Sequence, residues 1–167
     1  ITMPAQFWKW RMQGGAISMS RLLTTKPDVI LASSMIDLSI FRSLTYKSLG
    51  DVPIATYFHE NQLSYPQNQR QHHGWRYGFI NYVSALVADK NFFNSEFHLS
   101  DFMEQLPRML KHFADYNELQ TIDEIRAKSE VLPVGMDLQR FDPHHTKKTQ
   151  NHPPLIVWNH RWEDDKN

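Results

Sequence analysis

Along the chain, short continuous apolar runs alternate with segments in which apolar residues return every three or four positions. The runs at 29–32, 53–58, 91–93, 131–132 and 155–158 read as buried strands of a parallel sheet. Helical spacing is carried at 7–23 by Trp8, Met12, Ala16, Met19 and Leu23, and after Ser34 by Ile36, Ile40, Phe41 and Leu44. It returns at 79–87 with Ile80, Val83 and Val87, then through Phe102, Leu106, Met109, Leu110 and Phe113, and briefly at 124–128. Ser34 with Asp37 three residues on makes a capping-box-like start to the second helix, and Gly50 ends it. Gly14 and Gly15 each cost ~1 kcal/mol in a helix interior, so the pair marks a helix start or a close backbone approach. Pro107 either starts the main part of its helix or kinks it. The alternation predicts an α/β fold with a doubly wound, mostly parallel sheet. A polar, proline-ended linker at 146–154 separates a first domain, 1–145, from the start of a second, 155–167.

Composition narrows the class. A chain of 167 residues with near-average apolar and charged content suits one globular core. It has no cysteine, which excludes a disulfide framework and thiolate metal sites. No apolar run approaches a membrane span and the start lacks the marks of a signal peptide, so a soluble, cytoplasmic protein without a membrane partner is expected. Its 18 basic and 18 acidic residues cancel, so any nucleic-acid partner is held by a local patch rather than by net charge. The chain opens at Ile1 and closes in a charged stretch just after a strand-like run, and is expected to be a piece of something longer.

Candidate chemistry concentrates where the run 53–58 turns polar. His59, Glu60, Asn61 and Gln62 leave a buried strand at its carboxyl end, where ligands sit in open α/β sheets. Asn94 and Ser95 end the next strand at the same edge. Tyr65 follows, and the segment 67–77 holds Arg70, His72, His73, Trp75, Arg76 and Tyr77: arginines for phosphates and rings for bases, or a solvated polar loop. Trp8-Lys9-Trp10-Arg11 interleaves aromatic and basic residues, which suits either nucleotide stacking or amphipathic packing with snorkelling cations. The His-Glu-x-x-His pattern of zinc proteases, the Gly-x-Ser-x-Gly elbow, the P-loop and the Gly-x-Gly-x-x-Gly fingerprint are all absent. Arg161 and Lys166, five residues apart after a strand-like run, can neutralise a diphosphate leaving group without a metal, or can belong to a surface ion-pair cluster.

A resemblance sharpens these alternatives. Pro133-Val134-Gly135-Met136-Asp137, followed by Phe141-Asp142-Pro143, resembles the segment joining the two halves of retaining GT-B glycosyltransferases. Trp8–Met12, Ala32–Leu38, Tyr57–Gln62, Phe93–His98 and Trp158–Asn167 together resemble the tRNA-queuosine mannosyltransferases of that fold. The resemblance implies transfer of mannose from GDP-mannose to queuosine in the anticodon of tRNA-Asp, with retention, no cofactor and no required metal. It implies His59 and Glu60 as catalytic residues and Arg161, Lys166 and Gly135 as donor-binding residues. Asn61, Gln62, Tyr65, Trp75, Arg76, Asn94 and Ser95 are expected on the acceptor side. The chain would be the Rossmann-like N-terminal half plus the first strand of the donor-binding domain, inactive alone. The family's first strand would precede Ile1 and most of the donor domain would follow Asn167. A non-catalytic RNA-binding module is the competing class, and a metal-dependent hydrolase on His59, His72 and His73 is a third.

Overall fold

The computed structural model describes residues 1–4, 6–65, 75–144, 153, 156–157 and 159. Four parallel strands, β1 (Ile30–Ser33), β2 (Ile54–Phe58), β3 (Lys90–Phe93) and β4 (Ser129–Val131), pair in the order β1-β2-β3-β4. Helices α1 (Trp8–Leu22), α2 (Leu38–Leu49), α3 (Arg76–Val87), α4 (Glu96–Leu110) and α5 (Thr121–Ala127) precede and link them, and a short 3-10 turn (Gln139–His144) follows. The α/β class and the parallel sheet are as expected and are consistent with a Rossmann-like doubly wound fold.

The register aligns Ile30 with Ile54, Phe58 with Phe93 and Phe93 with Val131. Because strand side chains alternate, this places Ile30, Ala32, Ile54, Phe58 and Phe93 on one face. That face builds the core. Ile54, Ile30 and Ala32 pack with Ala16 of α1 and Phe41 and Leu49 of α2. Phe58 and Phe93 stack at 4.7 Å and pack with Tyr82 of α3, with Phe102, Leu106 and Met109 of α4, and with Ile125 of α5. Truncating either ring to alanine costs roughly 3–5 kcal/mol. The opposite face, with Leu31, Ala55, Tyr57 and Phe92, carries no helix among the described residues, and Leu31 is 66% exposed. The described helices thus form one of the two layers that a parallel sheet normally has.

Several local expectations are corrected. Asp37, not Ser34, caps α2: its Oδ1 accepts from the Ile40 backbone N–H at 3.1 Å. Starting at Leu38 rotates the buried face onto Leu38, Phe41, Thr45 and Leu49, which leaves Leu44 exposed and Ile36 buried ahead of the helix. The Gly14-Gly15 pair lies inside α1, where a Cβ on Gly14 would come within 2.6 Å of the Trp10 ring, so close approach is the reason for glycine there. Pro107 sits inside a continuous α4 rather than at its start, and Phe113 lies beyond the helix end. α3 begins at Arg76, earlier than expected, which draws Tyr77 out of the polar loop and buries it. The Lys128 ammonium donates at 2.6 Å to the carbonyls of Leu86 and Ala88 and so closes the end of α3. The 146–154 linker lies outside the described residues except Pro153, and of the 155–158 run only Ile156 and Val157 are described, both exposed and outside any strand.

Candidate functional site

β2 ends in two steps. Its last residue, Phe58, is fully buried between Phe93 and Phe102, and the next two, His59 and Glu60, are exposed at a bend. The His59 backbone is held on both sides: its N–H donates to Ser34 Oγ at 3.4 Å and its carbonyl accepts from Asn94 Nδ2 at 3.1 Å. Its ring leans on Tyr57 at 4.9 Å, so the imidazole stands at the sheet edge while the peptide beneath it is fixed.

The chain then turns back into the protein. Asn61 Nδ2 donates to Asp101 Oδ2 at 2.5 Å, and Asn61 Oδ1 accepts from the Leu63 N–H at 3.0 Å, a turn closed by the side chain itself. Ser64 donates to the same carboxylate oxygen at 2.5 Å, and Gln105 donates to Asp101 Oδ1 at 3.3 Å. The Gln62 N–H donates to Asn81 Oδ1 at 3.3 Å, while Asn81 Nδ2 donates to the Ser34 carbonyl at 2.9 Å, bridging the ends of β1 and β2. Burial favours the protonated form of the Asp101 carboxyl, but hydrogen bonds from Ser64, Asn61 and Gln105 and the nearby His98 outweigh it and hold the group below the ordinary aspartate value.

Asn94 and Ser95 close the corner. Ser95 Oγ caps α4 by accepting from the His98 N–H at 3.2 Å. Because Asn94 spends its amide N–H on the His59 carbonyl, its Oδ1 faces His98 Nδ1 at 3.0 Å and fixes that nitrogen as the protonated one in the neutral ring. His98 is 5% exposed, edge-on to Phe93, and its Nε2 is buried without a hydrogen-bond partner among the described residues. Burial holds its pKa below the ordinary histidine value. The Asp101 carboxylate and the Glu60 backbone oppose that shift without overcoming it, and His59 adds to it.

The structure therefore brings His59, Glu60, Asn61, Gln62, Asn94 and Ser95 together at one edge, as expected, and separates their roles. His59 and Glu60 face outward; Asn61 and Gln62 are buried, and the amides of Asn61 and Asn94 and the Ser95 hydroxyl are committed internally. Trp75 and Arg76 open α3, with Arg76 donating to Gln13 at 2.5 Å. Tyr65 is half-buried at the limit of the described loop. Gly135 stands in open space, with nothing within 4 Å of where a Cβ would be. Arg161, Lys166, Arg70, His72 and His73 lie outside the described residues. Among the described residues no group of three acidic or histidine side chains is placed to hold a metal, and no helix is long and apolar enough to cross a membrane. Of the α1 segment, Lys9 lies over Trp8 at 5.8 Å and Trp8 rests on Tyr77 at 5.4 Å. Asn81, His98 and Asp101, which sequence reasoning did not single out, do much of the positioning. The available signal was a lone amide in the apolar run 80–88 and an Asp-Gln pair one helical turn apart.

A parallel sheet with polar groups at the carboxyl ends of neighbouring strands defines a Rossmann-like α/β domain, a fold in which ligands generally sit at that edge. Residues 1–136 match the family description "tRNA-queuosine alpha-mannosyltransferase N-terminal", and the chain belongs to that family. It is 30% identical over 176 residues to the tRNA-queuosine alpha-mannosyltransferase of Drosophila melanogaster, an alignment covering 100% of this chain and 46% of that protein. The chain thus spans about half the length of that relative. No solved structure matches.

Proposed function

We propose that the parent of this chain transfers mannose from GDP-mannose to queuosine in the anticodon of tRNA-Asp with retention of configuration, and that residues 1–145 are its acceptor-side domain. The observation that carries this reading is the presentation of His59, a ring at the sheet edge on a peptide tied to Ser34 and Asn94. In the reaction the bond from the sugar anomeric carbon to the diphosphate oxygen breaks, and a bond to a hydroxyl of the cyclopentene diol forms on the same face. The hydroxyl proton passes to the departing phosphate oxygen, and GDP leaves.

His59 sits beside the donor sugar in this account. One lone pair of its carbonyl is occupied by Asn94 and the other is left to face the positive charge that develops on the sugar. Glu60 accepts from Gln62 Nε2 at 3.4 Å and is held where it can orient the acceptor diol. Arg161 and Lys166, beyond the 146–154 linker, bind the donor diphosphate together with the Gly135 segment that precedes it, the two cations supplying the positive charge that a metal supplies elsewhere.

The test uses the full-length parent with radiolabelled GDP-mannose and queuosine-containing tRNA-Asp. Label entering the tRNA, with His59→Ala and Arg161→Ala each slower by about 100-fold or more, supports the assignment. No label from the wild type, with tRNA still bound, would replace it with the RNA-binding module.

A further inference from the structure

A groove opens at the carboxyl edge beside Trp75 and Arg76, two of the residues expected on the acceptor side. Arg76, Phe79 and Val83, at helical spacing on α3, line a groove of about 360 Å³ together with Phe113 beyond α4 and with Asp37 and Ser39 at the start of α2. It shares its sheet edge with His59: Asp37 closely follows the end of β1, and α3 begins where the loop from β2 ends.

Its walls are aromatic and wet. Phe79 and Phe113 are each 45% exposed. Neighbouring rings hold them in place, Tyr82 at 5.7 Å from Phe79 and His112 at 5.9 Å from Phe113, with Trp75 a further 6.2 Å beyond His112. Arg76 is exposed at the mouth, its guanidinium anchored by Gln13. The Asp37 carboxylate among the lining groups is largely buried and its Oδ1 is taken by the Ile40 N–H and the Ser39 hydroxyl, and its charge disfavours a phosphate inside the groove. Exposed aromatic rings with a cation beside them and a carboxylate that keeps phosphate out of the groove itself are the chemistry of a base-stacking site with a phosphate outside it.

We infer that this groove takes an unstacked nucleobase from the single-stranded part of an RNA acceptor, its ring against Phe79 and Phe113 and an adjoining phosphate on Arg76. The inference rests on the proposal that the acceptor is tRNA, and it adds Phe79 and Phe113 to the residues that would contact it.

Fluorescence anisotropy of the full-length protein with a labelled anticodon stem-loop at fixed salt tests it. Phe79→Ala and Phe113→Ala each weaken binding about 5- to 100-fold, the range of one base–aromatic stack, while Phe79→Trp restores it. The salt dependence stays unchanged in both alanine variants, because no phosphate contact is lost, and its slope falls by about one in Arg76→Gln. Unchanged affinity in both alanine variants overturns the groove. Weakened binding that tracks a lowered melting temperature overturns it too, since the rings would then be packing residues. A wild type that transfers mannose while both variants bind normally removes the groove alone. A wild type that transfers none but binds RNA through these rings removes the proposed reaction alone.

Discussion

The end of β2 and the outer side of α3 both carry polar and aromatic side chains that residue type alone assigns to substrate, yet they use them in opposite ways. At the β2 corner Asn61, Asn81, Asn94 and Ser95 spend their hydrogen bonds on backbone groups and on the Asp101 carboxylate. On α3 the ring of Phe79 and the guanidinium of Arg76 stay exposed to solvent. A committed amide positions its neighbours, and an exposed ring on an ordered wall is open to a ligand. Mutations at the corner should therefore cost stability and turnover, and mutations in the groove should cost RNA affinity.

Among the polar residues of the corner, the largest stability effect is expected at Asn81. Asn81→Leu leaves the buried Ser34 carbonyl and the Gln62 N–H without partners and should cost about 2–5 kcal/mol, read by chemical or thermal unfolding of the full-length protein. Asp101→Ala strands the donors of Ser64, Asn61 and Gln105 and should cost about 1–3 kcal/mol.

Acid sharpens the comparison. With the Asp101 pKa lowered in the folded state, its stabilisation is present above the ordinary aspartate value and is lost as pH falls through the folded value. Asp101→Asn should flatten that part of the acid limb. His98 acts in a separate window. A base whose folded pKa is depressed must shed its proton to fold, so stability declines as pH falls below the ordinary histidine value of 6.5. His98→Asn should remove that decline in melting curves taken between about pH 7.5 and 5.5. The smallest effect belongs to the groove: Phe79→Ala should shift stability by no more than about 0.5 kcal/mol, as for other surface changes.

Much of the sheet was legible because each strand is a short apolar run, and β1 to β4 all lie at or within about two residues of the runs that announced them. Caps and faces were less so. Ser34 and Asp37 both fit an N-cap by type, and the choice between them, settled by the Ile40 N–H, decides whether Leu44 or Thr45 points inward. The edge at which His59 sits was legible from the sharp turn to polarity after Phe58. The division of labour there was not, because it depends on partners far apart in sequence, such as Asn61 with Asp101 and Asn94 with His59. Phe79 and Phe113 were legible only as apolar positions, since helical spacing does not tell a core ring from one lining a groove.

The measurement that bears most directly on this division is steady-state mannosyl transfer by full-length Asn94→Ala and Phe79→Ala, with the tRNA concentration varied. The account predicts that Asn94→Ala, which releases the His59 carbonyl, lowers kcat by about 10-fold or more with little change in KM for tRNA. Phe79→Ala should raise that KM about 5- to 100-fold and keep kcat. Equal effects of both variants on the same parameter, or no effect of either, would contradict it.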